Sequence, residues 1–201
     1  MRAVLFDLDG VFVESKDVWS HVMRAVARKF RYPEITPEQI ESAWGQGIAD
    51  DARNFYPGLG VAQLEIEYNL LFPEHIAQLN VDPDASSAVV ALRARDIAVA
   101  VVTNSPTNVA RAMLDQARIV PDILVSGSDV PAPKPAPDGI LKALRMLKTA
   151  AGDAVFVGDT KFDREAARRA AIRFVGYRID GDVRIESLRE IADLCLPDAG
   201  N

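Results

Sequence analysis

The sequence has one cysteine, two histidines and no long apolar stretch among its 201 residues. A single cysteine, Cys195, excludes an internal disulfide framework and a cysteine-rich zinc site, and it suits a reducing compartment. No segment approaches the roughly 20 apolar residues that a membrane-spanning helix needs. The N-terminal apolar run is short and ends on acids, unlike a signal peptide. We therefore expect a cytoplasmic protein without a membrane partner.

Positive charge is also scarce. The 23 Lys and Arg residues stand against 29 Asp and Glu, for a formal net charge of −6, and the basic residues form no cluster. Nucleic acids and anionic membranes are bound mainly through basic surfaces, so we expect neither as a partner. The hydrophobic content of 49% is that of an ordinary globular protein. The length allows one sizeable core with a smaller insertion.

Five short runs rich in Val and Ile lack polar alternation, as is typical of parallel strands covered on both faces. They are residues 3–6, 97–102, 123–125, 154–157 and 172–175. Helical patterns between the later runs predict βαβ units in a doubly wound α/β sheet.

The spacing of the strands is interrupted once. About 90 residues separate the first two strands, where a crossover needs only about a dozen. This segment has a helical pattern and predicts a small α-helical cap inserted after the first strand. The expected division is a cap at 14–80 and an α/β core formed by 1–13 and 81–201.

Polar side chains follow four of the predicted strands, and the carboxyl ends of parallel strands meet at one edge of a sheet. In chain order these residues are Asp7, Asp9, Thr103, Asn104, Lys134, Asp159 and Asp163. Four gathered carboxylates would repel one another, so their convergence predicts a hard divalent cation, for which Mg²⁺ is the best fit. A lysine with hydroxyl and amide donors suits the oxygens of a phosphoryl group. Together they predict phosphoryl transfer from a small phosphate ester.

The stretches "DLDGV", "TNS", "KPAPDG" and "GDTKFD" resemble, in this order, the four motifs of the haloacid dehalogenase (HAD) superfamily. The helical insertion resembles the C1-type cap of its phosphoglycolate-phosphatase-like and β-phosphoglucomutase-like members. The resemblance implies a HAD-like Rossmannoid core and a phosphoric monoester hydrolase. It also implies a Mg²⁺-dependent phosphatase that acts on a small metabolite, phosphoglycolate-like or a sugar phosphate, through an aspartyl-phosphate.

The same resemblance implies a role for each motif residue. Asp7 is the expected nucleophile, and Asp9 is the expected general acid and base. Lys134 neutralises developing charge and steadies Asp7. Thr103 and the Asn104 backbone hold the phosphoryl oxygens.

The Mg²⁺ site is assigned by the resemblance to Asp7, the Asp9 backbone carbonyl and Asp159, with Asp163 supporting it through its water shell. We expect a monomer or a homodimer. Within the cap, Arg53 is a candidate for binding a carboxylate or second anionic group of the substrate, against the alternative of a surface salt bridge to Asp50 or to Glu residues.

Two alternatives to a phosphatase stay open. One is a phosphomutase or phosphotransferase that uses the same aspartyl-phosphate. β-Phosphoglucomutase-like members carry a His at the position that aligns with Trp19, and His21 lies two residues away on a different helix face. The other alternative is a non-catalytic HAD-fold binding protein, which would have no need to keep the complete set of acids.

Overall fold

The computed structural model describes residues 1–194, so Cys195 lies outside the described part. Its strands, in chain order, are β1 (Ala3–Phe6), β2 (Val13–Glu14), β3 (Asn80–Val81), β4 (Ala98–Val102), β5 (Ile123–Val125), β6 (Ala154–Gly158), β7 (Arg173–Tyr177) and β8 (Val183–Ile185). Six of them form one sheet in the order β5-β4-β1-β6-β7-β8, and every neighbouring pair is parallel. The predicted α/β fold is confirmed, with one strand more than the five expected.

The helices are α1 (Lys16–Phe30), α2 (Pro37–Ala43), α3 (Ile48–Phe55), α4 (Val61–His75), α5 (Ala85–Arg93), α6 (Thr107–Ala117), α7 (Asp138–Met146), α8 (Lys161–Arg169) and α9 (Glu190–Leu194). None of the helices within residues 1–194 is long and apolar enough to cross a membrane.

Strand β1 is buried on both faces because helices cover the sheet on both sides. Val4 and Phe6 belong to one apolar cluster, and Ala3 and Leu5 belong to the other. Side chains alternate between the faces of a strand, so these four residues contribute to both layers. This central strand ends at Phe6 and delivers Asp7 to the edge of the sheet.

Helices α1–α4 occupy the long segment after β1. The chain enters this segment through β2 and leaves it through β3, and these two strands pair antiparallel, with Val13 opposite Val81. Helix α1 packs on α4, and the segment has its own buried aromatic residues, Tyr56, Tyr68 and Phe72. The pairing lies where we expect the cap to begin and end; the division into two domains stays a prediction.

Candidate active site

Three central strands place the site. Because β4, β1 and β6 are neighbours, the residues that follow them emerge side by side. Asp7 follows β1, Thr103 follows β4 and Asp159 follows β6. Lys134 reaches the same edge from the loop after β5, and Asp163 lies in the first turn of α8. The topology therefore brings together residues up to about 150 positions apart in the chain.

Asp7, Asp159 and Asp163 form an acid cluster, in which each offers one carboxylate oxygen within 4.8 Å of the others. The Lys134 ammonium lies 2.6 Å from Asp7 Oδ1 and 2.7 Å from Asp163 Oδ1. One buried lysine cannot neutralise three carboxylates. The deficit of positive charge, with all donors being oxygen, fits a hard divalent cation such as Mg²⁺.

Asp159 is the acid with the fewest partners. Its Oδ1 is buried and accepts no hydrogen bond from any residue within 1–194. A buried unpaired carboxylate oxygen is costly, and a metal ion bound there would remove that cost. This orphaned oxygen fits the expected role of Asp159 as a Mg²⁺ ligand.

Burial and mutual repulsion change the protonation of these groups. Burial, followed by the Asp163 charge, raises the pKa of Asp7 well above its ordinary value. The same two causes raise the pKa of Asp159 to about 7. Burial alone would lower the pKa of Lys134, but the charges of Asp163 and Asp7 outweigh it and raise that pKa. The lysine therefore stays cationic while the carboxylates compete for a second positive charge.

Gly10 is required by the approach of Asp159. Its φ of +79° lies in the left-handed region, and a Cβ there would be 2.0 Å from Asp159 Oδ2. Only glycine meets both conditions without strain. The "DLDG" turn thus carries the first two acids and leaves space for a third.

Asp9 lies beside the acid cluster and has different partners. Its carboxylate accepts hydrogen bonds from Trp19 Nε1 at 2.8 Å, Ser105 Oγ at 2.7 Å and Thr103 Oγ1 at 3.3 Å. The Ser15 hydroxyl also donates to it. Four donors fix the orientation of the carboxylate. Sequence reasoning did not single out Ser15, Ser105 or Trp19 as partners of Asp9; the only available signal was Ser105 within the "TNS" motif.

The Asn104 side chain holds the loop that carries Lys134. Its Oδ1 accepts from Lys134 N at 2.8 Å, and its Nδ2 donates to Lys134 O at 2.8 Å. Nδ2 also donates to the Gly45 carbonyl at 2.9 Å, which belongs to the segment between β2 and β3. This side chain therefore fixes the lysine peptide and contacts the predicted cap. The expected phosphoryl contacts of Thr103 and the Asn104 backbone stay predictions.

The family model of haloacid dehalogenase-like hydrolases matches residues 4–177, which is most of the chain. The protein belongs to this family. The predicted family is therefore confirmed, together with the hydrolase class that it denotes.

Known proteins that resemble this HAD-like hydrolase extend over most of its length. A phosphoglycolate phosphatase of Aquifex aeolicus is 27% identical, covering 98% of this chain and 92% of its own. A phosphoglycolate phosphatase of Rhodobacter capsulatus is 26% identical, and the match covers 87% of this chain and 83% of that protein. The solved structure of CbbY from Rhodobacter sphaeroides in complex with phosphate has a TM-score of 0.83 at 21% identity, covering 95% and 96%. At that identity the structural likeness shows the fold.

Residues from the 14–80 segment cover the site of this HAD-like hydrolase. Trp44 Nε1 lies 3.5 Å from Asp159 Oδ2, and a Cβ on Gly47 would lie 2.6 Å from Pro133 Cγ. The Gly45–Gly47 turn therefore packs closely on the strand-end loops. A cavity between the two sides is lined by Asp7, Asp9 and Lys134 on one side.

Arg53 is not among the described residues that line this cavity. Its side chain is 70% exposed and pairs with Asp50 on the outer face of α3. Asp51, which sequence reasoning missed, does line the cavity. The only sequence signal for it was its place in the "GIADDARNF" segment from which Arg53 was chosen.

His21 is exposed and is not among the described residues that line the cavity. Its ring stacks on His75 with centroids 5.4 Å apart, and its Nδ1 lies 2.8 Å from the Asp17 carbonyl oxygen. Trp19 occupies the position that faces Asp9 and also packs on Tyr68.

Proposed function

We propose that this protein is a Mg²⁺-dependent phosphatase that hydrolyses a small phosphorylated metabolite through an aspartyl-phosphate intermediate. The observation that carries this proposal is the pair of carboxylates at the end of β1. Asp7 is paired with Lys134 at 2.6 Å, whereas Asp9 is surrounded by neutral donors, and both line one cavity. Two carboxylates in different environments are suited to two different roles.

In the first step an Asp7 oxygen attacks phosphorus, and the bond from phosphorus to the ester oxygen breaks. Asp9, in its protonated form, gives its proton to that oxygen as the alcohol leaves. The Lys134 ammonium limits the build-up of negative charge beside Asp7. In the second step Asp9, now a carboxylate, takes a proton from water, and the resulting hydroxide attacks the aspartyl-phosphate. Inorganic phosphate leaves and Asp7 is restored.

Asp7, the Asp9 carbonyl and Asp159 would hold the Mg²⁺ ion, with Asp163 behind them. When bound, the ion would supply the positive charge that Lys134 alone cannot provide and would polarise the phosphoryl oxygens. The orphaned Oδ1 of Asp159 supports this assignment.

The covered cavity supports a small substrate and exclusion of bulk water during phosphoryl transfer. The relatives named phosphoglycolate phosphatases support a small ester of the phosphoglycolate or sugar-phosphate type. Trp19 beside Asp9, with His21 outside the cavity, favours hydrolysis over a mutase reaction.

The test is a phosphatase screen over small phosphate monoesters with added Mg²⁺. We expect the wild type to hydrolyse at least one ester, and EDTA to abolish the reaction. Asp7→Asn should be inactive. Asp96→Asn is a matched control, because Asp96 is exposed and its φ of 55° suits asparagine equally well. An active Asp7→Asn variant would overturn the proposed mechanism.

A further inference from the structure

The side of the cavity formed by residues 14–80, here called the cap wall, has little polar character. Most of its large side chains are apolar or aromatic, namely Trp19, Met23, Ile40, Trp44, Ile48 and Tyr68. Gln46 and Asp51 are its strongly polar members. This wall faces the site where phosphorus would be attacked, so the leaving group of a substrate would contact it.

Asp51 is the only carboxylate among the described residues of the cap wall. It accepts a hydrogen bond from Gln46 Nε2 at 2.6 Å and one from Tyr68 Oη at 3.0 Å. Both donors are neutral, and within residues 1–194 Asp51 takes part in no ion pair. Burial raises the pKa of Asp51 to about 7, and no cation is among the groups that act on it.

Positive charge is absent from the described cap wall itself. Lys134 is the one cation among the described residues that line the cavity, and it is held by Asp7 and Asp163 on the opposite side. Lys16 does not line the cavity, although its Nζ lies 5.2 Å from the centroid of the Trp44 ring. That ammonium is paired with Glu41 at 3.0 Å on the surface.

We propose that the leaving group of the substrate carries hydrogen-bond donors and no negative charge, and that Asp51 selects it by accepting one of those hydrogen bonds. A carboxylate in this position would lose its hydration, gain no counter-ion and face another acid. A hydroxyl group would instead donate to a free lone pair of Asp51, while its carbon atoms pack on Met23 and Ile40. This inference rests on the proposed function and narrows it towards sugar-phosphate-like esters.

The test compares three phosphate esters of similar size whose leaving groups differ in charge. Phosphoglycolate carries a carboxylate, 2-hydroxyethyl phosphate carries a hydroxyl, and phosphoethanolamine carries an ammonium group. At about pH 8.5, where Asp51 is a carboxylate, we expect the wild type to show a kcat/KM for 2-hydroxyethyl phosphate about tenfold or more above that for phosphoglycolate. Asp51→Asn should reduce this ratio by about tenfold, mainly by lowering the KM for phosphoglycolate. A kcat/KM for phosphoethanolamine above that for 2-hydroxyethyl phosphate would also support the proposal, because it would show that the negative charge of Asp51 contributes to the selection.

Arg53→Ala and Lys16→Ala are the control variants, because each removes a cation of this segment that is paired with an acid other than Asp51. Both should leave the ratio unchanged. A wild-type preference for phosphoglycolate would overturn the proposal, as would an unchanged ratio in Asp51→Asn. A selective loss of phosphoglycolate activity in either control would also overturn it. The wild-type ranking tests the proposal even if Asp51→Asn does not fold.

Binding separates this inference from the proposed function. Asp7→Asn lacks the expected nucleophile, so calorimetry on this variant with Mg²⁺ measures selection without turnover. If the wild type hydrolyses no ester of the whole screen but this variant binds the three esters in the expected order, the proposed phosphatase is wrong and the selection by Asp51 stands. Tighter binding of phosphoglycolate, or no binding of any ester, would refute the selection.

Discussion

Asp51 gives a prediction that needs no substrate. It lies on α3 against the cavity, and burial raises its pKa from 3.8 to about 7. A folded-state pKa above the unfolded value means that the folded protein retains a proton that the unfolded chain has released. The resulting stability is complete below about pH 3.8 and is lost as the pH rises towards 7. Asp51→Asn removes this titration and leaves the shape of the side chain almost unchanged.

The size of the effect follows from the two pKa values. Each pH unit between them lowers the stability of the wild type by about 1.4 kcal/mol relative to a chain without this group. The full difference between 3.8 and about 7 is therefore about 4 kcal/mol. Between about pH 5 and about pH 8.5 the wild type should lose about 2 to 3 kcal/mol of unfolding free energy relative to Asp51→Asn. This is an upper value, because Asp51 is only half-buried and water screens its charge.

The assay is urea unfolding of both proteins in metal-free buffer at several pH values, followed by the fluorescence of Trp19 and Trp44. In Asp51→Asn the side-chain amide replaces the carboxylate as the partner of Tyr68. This change of hydrogen bond shifts the difference in unfolding free energy by about 1 kcal/mol at every pH. The informative quantity is therefore the change of the difference with pH. Titration of Asp7 and Asp159 affects both proteins equally and cancels, because neither contacts Asp51.

Asp50→Asn is the matched control, since Asp50 is the adjacent acid and pairs with Arg53 on the outer face. The Asp50 charge is the last and smallest of the causes that raise the pKa of Asp51, so the difference in stability between Asp50→Asn and the wild type should change with pH far less than that of Asp51→Asn. For Asp51→Asn, a difference that stays constant between about pH 5 and about pH 8.5 would show that the carboxylate is solvated in solution. Asp51 would then not be an uncompensated buried acid of the cap wall.

Three further substitutions test the site. Lys134→Met leaves the acid cluster without its lysine, so we expect a loss of about 3 to 5 kcal/mol in metal-free urea unfolding and no phosphatase activity; unchanged stability would refute the balancing role. Asp9→Asn should lower kcat by about 10² to 10⁴ in steady-state kinetics, and a wild-type kcat would exclude it as acid and base. Gly10→Ala should diminish the stabilisation by Mg²⁺ in thermal unfolding, because the new Cβ meets Asp159 at 2.0 Å; an unchanged gain would contradict the assignment of Asp159.

The fold could be predicted because its central strands are buried on both faces, which leaves unbroken Val and Ile runs in the sequence. Strand β8 was missed for the opposite reason: it is three residues long, lies at the edge and carries the exposed Arg184 in its middle. The β2 and β3 pair was missed because each strand has two residues and gains its structure from a partner over 60 positions away. Thr160 and Asp163 form a capping box that begins α8 at Lys161, shortly after the end of β6.

The candidate site divides in the same way. The acids and the lysine were predictable because sheet topology alone brings strand ends together. Arg53 and Asp51 show which part of the site could not be predicted from the sequence. They lie two positions apart on α3, and residues at that spacing point to different sides of a helix. Both are polar members of one short segment, so only the packing of α3 in three dimensions decides which of them reaches the cavity.

Two hydrogen-bonding networks explain why the motifs indicate the chemistry more clearly than the substrate. Asp7 pairs with Lys134 and accepts a hydrogen bond from the Leu8 amide, and both partners lie in the strand-end loops of the large sheet. Asp9 is held partly from that sheet, by Ser105, and partly by Trp19 of α1. The setting of Asp7, the proposed nucleophile, therefore depends on segments whose order and spacing the fold fixes. The setting of Asp9, the proposed acid and base, depends like the cap wall on how the inserted helices dock, and that docking is encoded in dispersed apolar contacts without a local motif.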